Sequence, residues 1–417
     1  MTNAPLFEPR VRAAIGLICL IFISWILSRN RKKFPWRVVL WGIGLQIILG
    51  IVFLWWDWGR GMLQEFSFAV KDFLDLSVSG SKFVFGGLGD PANSTLKPYG
   101  FVMAFMVLPT IIFFSSFMTV LYHLGIMQKI VQGMAWIMSK TMGTSGCESL
   151  SAAANIFVGQ TEAPLMIKPF VEKMTESELM AVMTGGFATI AGGVFAMYVG
   201  FGVPAGHLVV ASVMSAPAAL VIAKVMVPEE EEPLTKGTVK VEIEKTASNV
   251  VEAAANGALD GLKLALNVGA MLVAFLGLLA VINAFLGIFG KWVGANLTLE
   301  KILGWCFSPF AAMVGIEWHD VPRVGELLGI KIAANELVAY SKLTSQSFKE
   351  CITQRSFIIS TYALCGFANF GSIAIQLGGI GGIAPKRKSD LARLGIRAMM
   401  AGAFASWCTA SLAGVLL

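Results

Sequence analysis

Apolar residues run along this chain in long blocks, without the strict alternation of half-buried strands. Blocks at about 11–28, 36–57, 101–123, 177–200, 205–226, 258–287, 355–380 and 391–416 are each long enough for a helix across a hydrocarbon core, which takes roughly 20 residues. Two segments instead place apolar residues at helical spacing beside charges. In 61–77, Phe66, Val70, Phe73 and Leu74 accompany Glu65, Lys71 and Asp72; in 125–142, Ile130, Val131, Met134, Ile137 and Met138 share a side, flanked by Lys129 and Lys140. Both predict amphipathic helices lying along a membrane interface. Two further stretches, 145–170 and 300–345, are apolar but broken by polar residues: Gln160, Thr161, Glu162 and Pro164 in the first, Pro309, Glu317, Asp320, Asn335 and Glu336 in the second.

Composition fixes the solvent for which this pattern is written. The chain is 56% hydrophobic and 14% charged, against about 25% charged for a soluble domain, and its mean hydropathy is +0.72. Its 44 glycines and 15 prolines fall within apolar segments, as suits closely packed or broken helices more than a barrel. The expectation is an all-α integral membrane protein with eight transmembrane helices, two interrupted regions and interfacial helices.

The formal charge of +6 calls for no nucleic-acid partner, because its densest part, "RNRKKFPWR" at 29–37, separates two apolar blocks. Arg29, Arg31, Lys32, Lys33 and Arg37 place that loop in the cytoplasm, as Lys386, Arg387 and Lys388 place the loop at 385–390. Residues 1–10 show no cleavable-signal pattern, so the first block is expected to be retained and both termini to lie outside. The polar segment 228–249, rich in Glu and Lys, is expected to be a solvated cytoplasmic loop. Lys168 and Lys173 read as snorkelling to the inner interface. The six cysteines and three histidines are scattered without metal, redox or triad spacing, so enzyme readings start weak.

The two interrupted regions are followed by similar sequence. "GGFATIAGG" at 185–193 and "CGFANFGSIAIQLGG" at 365–379 both carry Gly-Phe-Ala and then a polar residue, Thr189 or Asn369, in mid-span. The order of broken segment, polar-centred span and ordinary span thus occurs twice. Inside hydrocarbon, non-helical backbone persists only where protein or a wet cavity satisfies it, so each interruption predicts a re-entrant hairpin. Paired breaks in corresponding positions point to a secondary transporter with its site near the midplane. The first hairpin would enter from the cytoplasm and the second from outside, making the halves an inverted repeat. The expected division is 1–143 as scaffold, 144–226 as first repeat, 227–299 as loop and sixth span, and 300–417 as second repeat. An ionised carboxylate at the bilayer centre costs about 2.5 to 3.5 kcal/mol on insertion scales, so Glu162 and Glu336 need partners.

"GQTEAPL" at 159–165, "NELVAY" at 335–340 and "CGFANFGSIAIQLGGIGG" at 365–382 closely resemble the concentrative nucleoside transporter family in its bacterial eight-span form, over nearly the whole chain. The resemblance implies a homotrimer in the bacterial inner membrane, with periplasmic termini and a mobile transport domain in each protomer. It implies that Gln160, Thr161, Glu162 and Val194 face the nucleobase of a uridine-like substrate. Glu336, Asn369 and Ser372 would meet the ribose, and Phe367 would form an apolar wall. It further implies a Na⁺ site from the Asn155 side chain, the Val158 and Ile190 carbonyls and the Thr189 hydroxyl, with no organic cofactor. Thr189 stands where Ser is expected and keeps the hydroxyl; Leu337 stands where Phe is usual. The alternatives are proton coupling through Glu162 or Glu336, or the same architecture carrying another small polar solute. A channel would need a polar stripe on several spans, whereas polarity here is concentrated at two breaks.

Overall fold

The structure, a computed structural model, describes residues 7–90, 103–237, 247–294 and 297–417. Every described element is helical. Residues 238–246 of the predicted polar loop and 101–102 of the third predicted span lie outside the described residues.

The first third of the chain forms α1 (Phe7–Ile26), α2 (Trp36–Gly50, continued as a π-helix to Trp55), α3 (Asp57–Asp75), α4 (Ser77–Phe85), α5 (Met103–Met106), α6 (Leu108–His123) and α7 (Ile126–Met142). On α3 the expected apolar face is used in part: the Phe73 ring packs on Phe113 and Phe117 of α6 at 5.0 and 4.6 Å, while Phe66 remains exposed. On α7 the apolar side read from the sequence is likewise used in part. Met127, Val131, Ala135, Met138 and Met142 are buried, whereas Ile130 and Ile137 are exposed. Both sides of this helix are apolar, so periodicity alone did not resolve which one meets protein.

The remainder follows one order twice. First come α8 (Gly146–Ala154), a 3-10 turn (Ala163–Ile167) with α9 (Lys168–Val171), then α10 (Glu176–Ala188), α11 (Gly192–Gly200) and α12 (Ala205–Met226). After the long α13 (Val250–Val293) come α14 (Leu299–Met313), α15 (Val321–Ala333), α16 (Glu336–Thr344), α17 (Gln346–Lys349), α18 (Gln354–Leu364), α19 (Phe370–Ile383) and α20 (Lys388–Leu416). The interrupted region 300–345 holds three elements. Its first part, α14, packs along α15, with Gly304 beside Gly325 and Leu303 beside Gly329, and its place in the order matches that of α7. Close approach of α14 and α15 depends on glycine: a Cβ on Gly325 would stand 2.7 Å from the Gly304 carbonyl oxygen.

Among the described residues, six helical segments are long and apolar enough to cross a membrane, and they cover six of the eight predicted spans. The other two differ for a physical reason. The span expected at 101–123 is interrupted at Val107, and its α6 is bent 76° from α7; the span expected at 355–380 is divided into α18 and α19. The centre of the molecule is α12 and α20, whose apolar windows are 89% and 83% buried, whereas that of α13 is 6% buried.

Polar contacts gather at two opposite faces. At one, Arg29 and Arg393 both pair with Glu176, Asn30 donates to Glu230 at 2.7 Å, and Arg387 donates to the Met174 carbonyl. The loops expected on the cytoplasmic side thus converge. Beneath them, buried Lys224 pairs with Glu148 at 2.7 Å and Glu229 at 3.0 Å and donates to Ser177. Capping boxes at Ser145/Glu148 and Thr175/Glu178 start α8 and α10 there; each cap contributes about 1 kcal/mol. At the other face Arg10 donates to the Leu417 carbonyl at 2.9 Å, so the two ends of the described chain meet.

Candidate functional site

Two helices that should be continuous are broken, and the breaks touch. The α10–α11 break is Thr189-Ile190-Ala191; the α18–α19 break is Cys365 to Asn369. Gly366 sits at φ +110°, where a Cβ would lie 2.6 Å from the Phe187 oxygen and 2.7 Å from that of Ala188. Glycine here meets both a left-handed backbone and a backbone-to-backbone approach.

A break frees carbonyls and amides that need partners. At the second, Lys331 of α15, fully buried, donates to the carbonyls of Ala363 and Cys365, each at 3.1 Å. The hydroxyl of Ser406 also donates to the Cys365 carbonyl. Asn369 caps α19, its Oδ1 accepting from the Ser372 amide at 2.9 Å, while its Nδ2 donates to Glu336 Oε2 at 3.0 Å. Tyr198 of α11 donates its hydroxyl to Glu336 Oε1 at 3.1 Å, and its ring rests on Tyr340 at 4.4 Å. Asn335 caps α16 by accepting from Val338, which places Glu336 in the first turn, where the helix dipole favours a carboxylate. Glu336, Asn369 and Ser372 are therefore one buried cluster, and Phe367 is half-buried on the break beside it.

At the first break the oxygen atoms are less satisfied. Asn155 ends α8, fully buried; its Nδ2 donates to the Ser151 carbonyl at 2.9 Å, and its Oδ1 has no hydrogen-bond partner. Thr189 donates its hydroxyl to the Gly185 carbonyl at 2.9 Å, which leaves oxygen lone pairs free. Among the described residues, the carbonyls of Val158 and Ile190 accept no hydrogen bond. These are uncharged hard oxygens, a donor set that suits a small monovalent cation. Phe157 ties the tip to the break by accepting from the Gly192 amide at 3.2 Å.

The tip of "GQTEAPL" leans on α19. Gln160 Oε1 accepts from Gln376 Nε2 at 3.1 Å, and the same nitrogen donates to the Met183 carbonyl at 3.0 Å. A Cβ on Gly379 would fall 2.5 Å from the Thr161 methyl. Glu162 is exposed, with a carboxylate oxygen folded over Gly159, and it is not joined to the Glu336 cluster; Val194 is buried in the first turn of α11. Two open clefts, of about 620 Å³ beside α3 and about 580 Å³ beside Arg29, are lined by none of these residues.

Sequence reasoning missed Gln376, Lys331 and Tyr198. Gln376 had a readable signal, since Asn369, Ser372 and Gln376 follow i, i+3, i+7 on one helix face. Lys331 is a lone cation in the apolar run "GIKIAANE", and Tyr198 had no signal apart from its aromatic ring.

Family models describe the Na⁺ dependent nucleoside transporter C-terminus over residues 207–414, its N-terminus over 15–88, and a nucleoside-recognition gate over 104–205. An uncharacterized transporter of Haemophilus influenzae is 45% identical over 97% of both chains. This chain belongs to the Na⁺-dependent nucleoside transporter family. The sodium/nucleoside cotransporter 2 of Rattus norvegicus is 42% identical over 96% of this chain and 62% of its own length. The solved structure of CNTnw in an inward-facing substrate-bound state has 43% identity and a TM-score of 0.91 over 97% of each chain. A doubly substituted CNTnw in an outward-facing state reaches 0.93 over 98% of each. The family is one of membrane transporters.

Proposed function

We propose that this protein is a secondary active symporter that imports nucleosides, uridine-like pyrimidine nucleosides among them, on the Na⁺ gradient by alternating access. The observation that carries the reading is the pair of touching breaks, one surrounded by unpaired neutral oxygens and the other by a buried carboxylate held by neutral donors. The existence of CNTnw in both an inward-facing and an outward-facing state supports the alternating-access part.

In this reading α8–α9 and α15–α16 are re-entrant hairpins that complete an eight-span inverted repeat. Asn155, Val158, Thr189 and Ile190 hold the Na⁺. Gln160, Thr161, Glu162 and Val194 face the nucleobase; Gln160 suits this because a carboxamide offers both a donor and an acceptor to a base edge. Glu336, with Asn369 and Ser372, accepts the ribose hydroxyls in charge-assisted hydrogen bonds, and Phe367 forms the apolar wall. Residues 144–226 and 300–417 supply the moving parts, and 1–143 mainly the scaffold. The exposed apolar length of α13 meets lipid and the neighbouring copies of a homotrimer. The bacterial inner membrane, with periplasmic termini, is the proposed location. One charge crossing 100 mV supplies about 2.3 kcal/mol, enough for roughly a 40-fold nucleoside gradient before any sodium gradient is added.

The test is uptake of labelled uridine into proteoliposomes under an inward Na⁺ gradient, an inward H⁺ gradient or neither. Uptake driven by Na⁺ alone is expected. Uptake driven equally by H⁺ overturns the sodium assignment and points to Glu162 or Glu336, and no uridine entry under either gradient removes the substrate assignment.

A further inference from the structure

At the end of α15 remote from Glu336, the turn "GIEWHD" brings together three ligating side chains, two carboxylates and an imidazole. Glu317, His319 and Asp320 each offer one atom, and the three atoms lie within 4.8 Å of one another. The backbone holds the turn closed: the Glu317 carbonyl accepts from the amides of Asp320 at 2.8 Å and Val321 at 3.1 Å. A second observation makes the cluster more than a patch of surface acid. Asp320 is fully buried; its Oδ2 is used, accepting from the Thr353 amide at 3.0 Å and the Thr353 hydroxyl at 3.2 Å, but its Oδ1 has no hydrogen-bond partner. That Oδ1 faces His319 Nε2 at 3.2 Å, while Glu317 Oε2 lies nearer the ring's other nitrogen, 3.9 Å from Nδ1, so an ion held on Nε2 draws Glu317 round by a side-chain rotation.

We propose that Glu317, His319 and Asp320 bind one divalent transition-metal ion of the Zn²⁺ type. Ligands at 2.0 to 2.2 Å in a tetrahedron stand about 3.3 Å apart, close to the 3.2 Å between His319 Nε2 and Asp320 Oδ1. An imidazole with two carboxylates, leaving a fourth position to water, is a zinc-type donor set; Mg²⁺ prefers oxygen alone. The nearby cations do not occupy the carboxylates. Arg355 donates to the carbonyls of Gly315 and Gly414, and Arg12 to those of Ala312 and Ile316 with its guanidinium 4.0 Å from the Trp318 ring. Among the described residues, neither Glu317 nor Asp320 is ion-paired to a lysine or arginine. His319 is 60% exposed, which gives the ion its entry path. Because Asp320 also holds Thr353, the cap of α18, a bound ion would stiffen the joint between α15 and α18. The thirteen residues of α15 put this site about 20 Å from the Glu336 cluster, so it is separate from the transport site.

The test is calorimetric titration of Zn²⁺ into the full chain, purified in detergent and stripped with chelator, with Mg²⁺ as competitor. One Zn²⁺ per chain is expected, undisturbed by excess Mg²⁺. Replacement of exposed His319 (His319→Ala) should weaken binding at least about tenfold, while His123→Ala leaves it unchanged. Glu317→Gln provides the second variant, since Asp320 has a structural contact as well. Stoichiometry well below one, or affinity unchanged in both His319→Ala and Glu317→Gln, overturns the site whether or not the chain transports nucleosides.

Discussion

Gln376 reaches across from the second half of the chain to Gln160 in the first, its Nε2 lying 3.1 Å from Oε1 and 3.0 Å from the Met183 carbonyl. One buried amide therefore ties the tip of "GQTEAPL" to α19 and to the middle of α10. Replacing it with leucine leaves the Gln160 Oε1 without its donor and removes the second bond to the Met183 carbonyl, at a cost of about 1 to 3 kcal/mol. Gln376→Leu is expected to lower the melting temperature in detergent and raise the KM for uridine several-fold. An unchanged KM would separate this contact from substrate binding.

Glu336 is held by Tyr198 and Asn369, and among the described residues it has no cation as a hydrogen-bond partner. Glu336→Gln keeps the shape and removes the charge. Uridine uptake should fall by at least about 100-fold, given the strength of charge-assisted bonds to hydroxyls, with assembly preserved on size exclusion. Tyr198→Phe removes one donor, and its loss should be nearer tenfold, in line with about 1.5 kcal/mol.

The sodium assignment rests on oxygens around the first break. Asn155→Ala removes the buried Oδ1 that has no hydrogen-bond partner, and Thr189→Ala removes the hydroxyl. In each variant the Na⁺ concentration for half-maximal uptake should rise at least about tenfold, the effect of losing about 1.4 kcal/mol. Na⁺ titration of uridine uptake measures it, and an unaltered midpoint in both variants would remove these residues from the site.

Lys224 and Glu148 form a buried pair 2.7 Å apart beneath the converged loops. Removing one partner strands the other charge at a cost of about 3 to 5 kcal/mol, while replacing both is far milder. Lys224→Met is expected to unfold at clearly lower temperature than Lys224→Met combined with Glu148→Leu. Equal destabilisation in the two would show that the pair is not coupled.

The long apolar helices and the meeting of the basic loops at one face were legible because length of apolar run and clusters of Arg and Lys are direct records of hydrocarbon and interface. The breaks were legible for a related reason: Thr189, Asn369, Asn335 and Glu336 are too polar for mid-span unless backbone is freed beside them. What filled the gaps was not legible. Lys331 answers carbonyls 32 and 34 residues away, and no spacing rule connects a lone lysine to a helix end it meets only after folding. The same limit hid the division of 300–345 into α14, α15 and α16, since helices packed on glycines Gly304 and Gly325 look, in sequence, like one apolar run.

The contact between Arg10 and Leu417 spans 407 positions, and Arg12 likewise reaches carbonyls about 300 residues ahead of it. These guanidinium groups gain their acceptors only once residues 312–316 and 417 are in place, so the Arg10 end of α1 is a long-range closure that no local segment of the chain could form by itself.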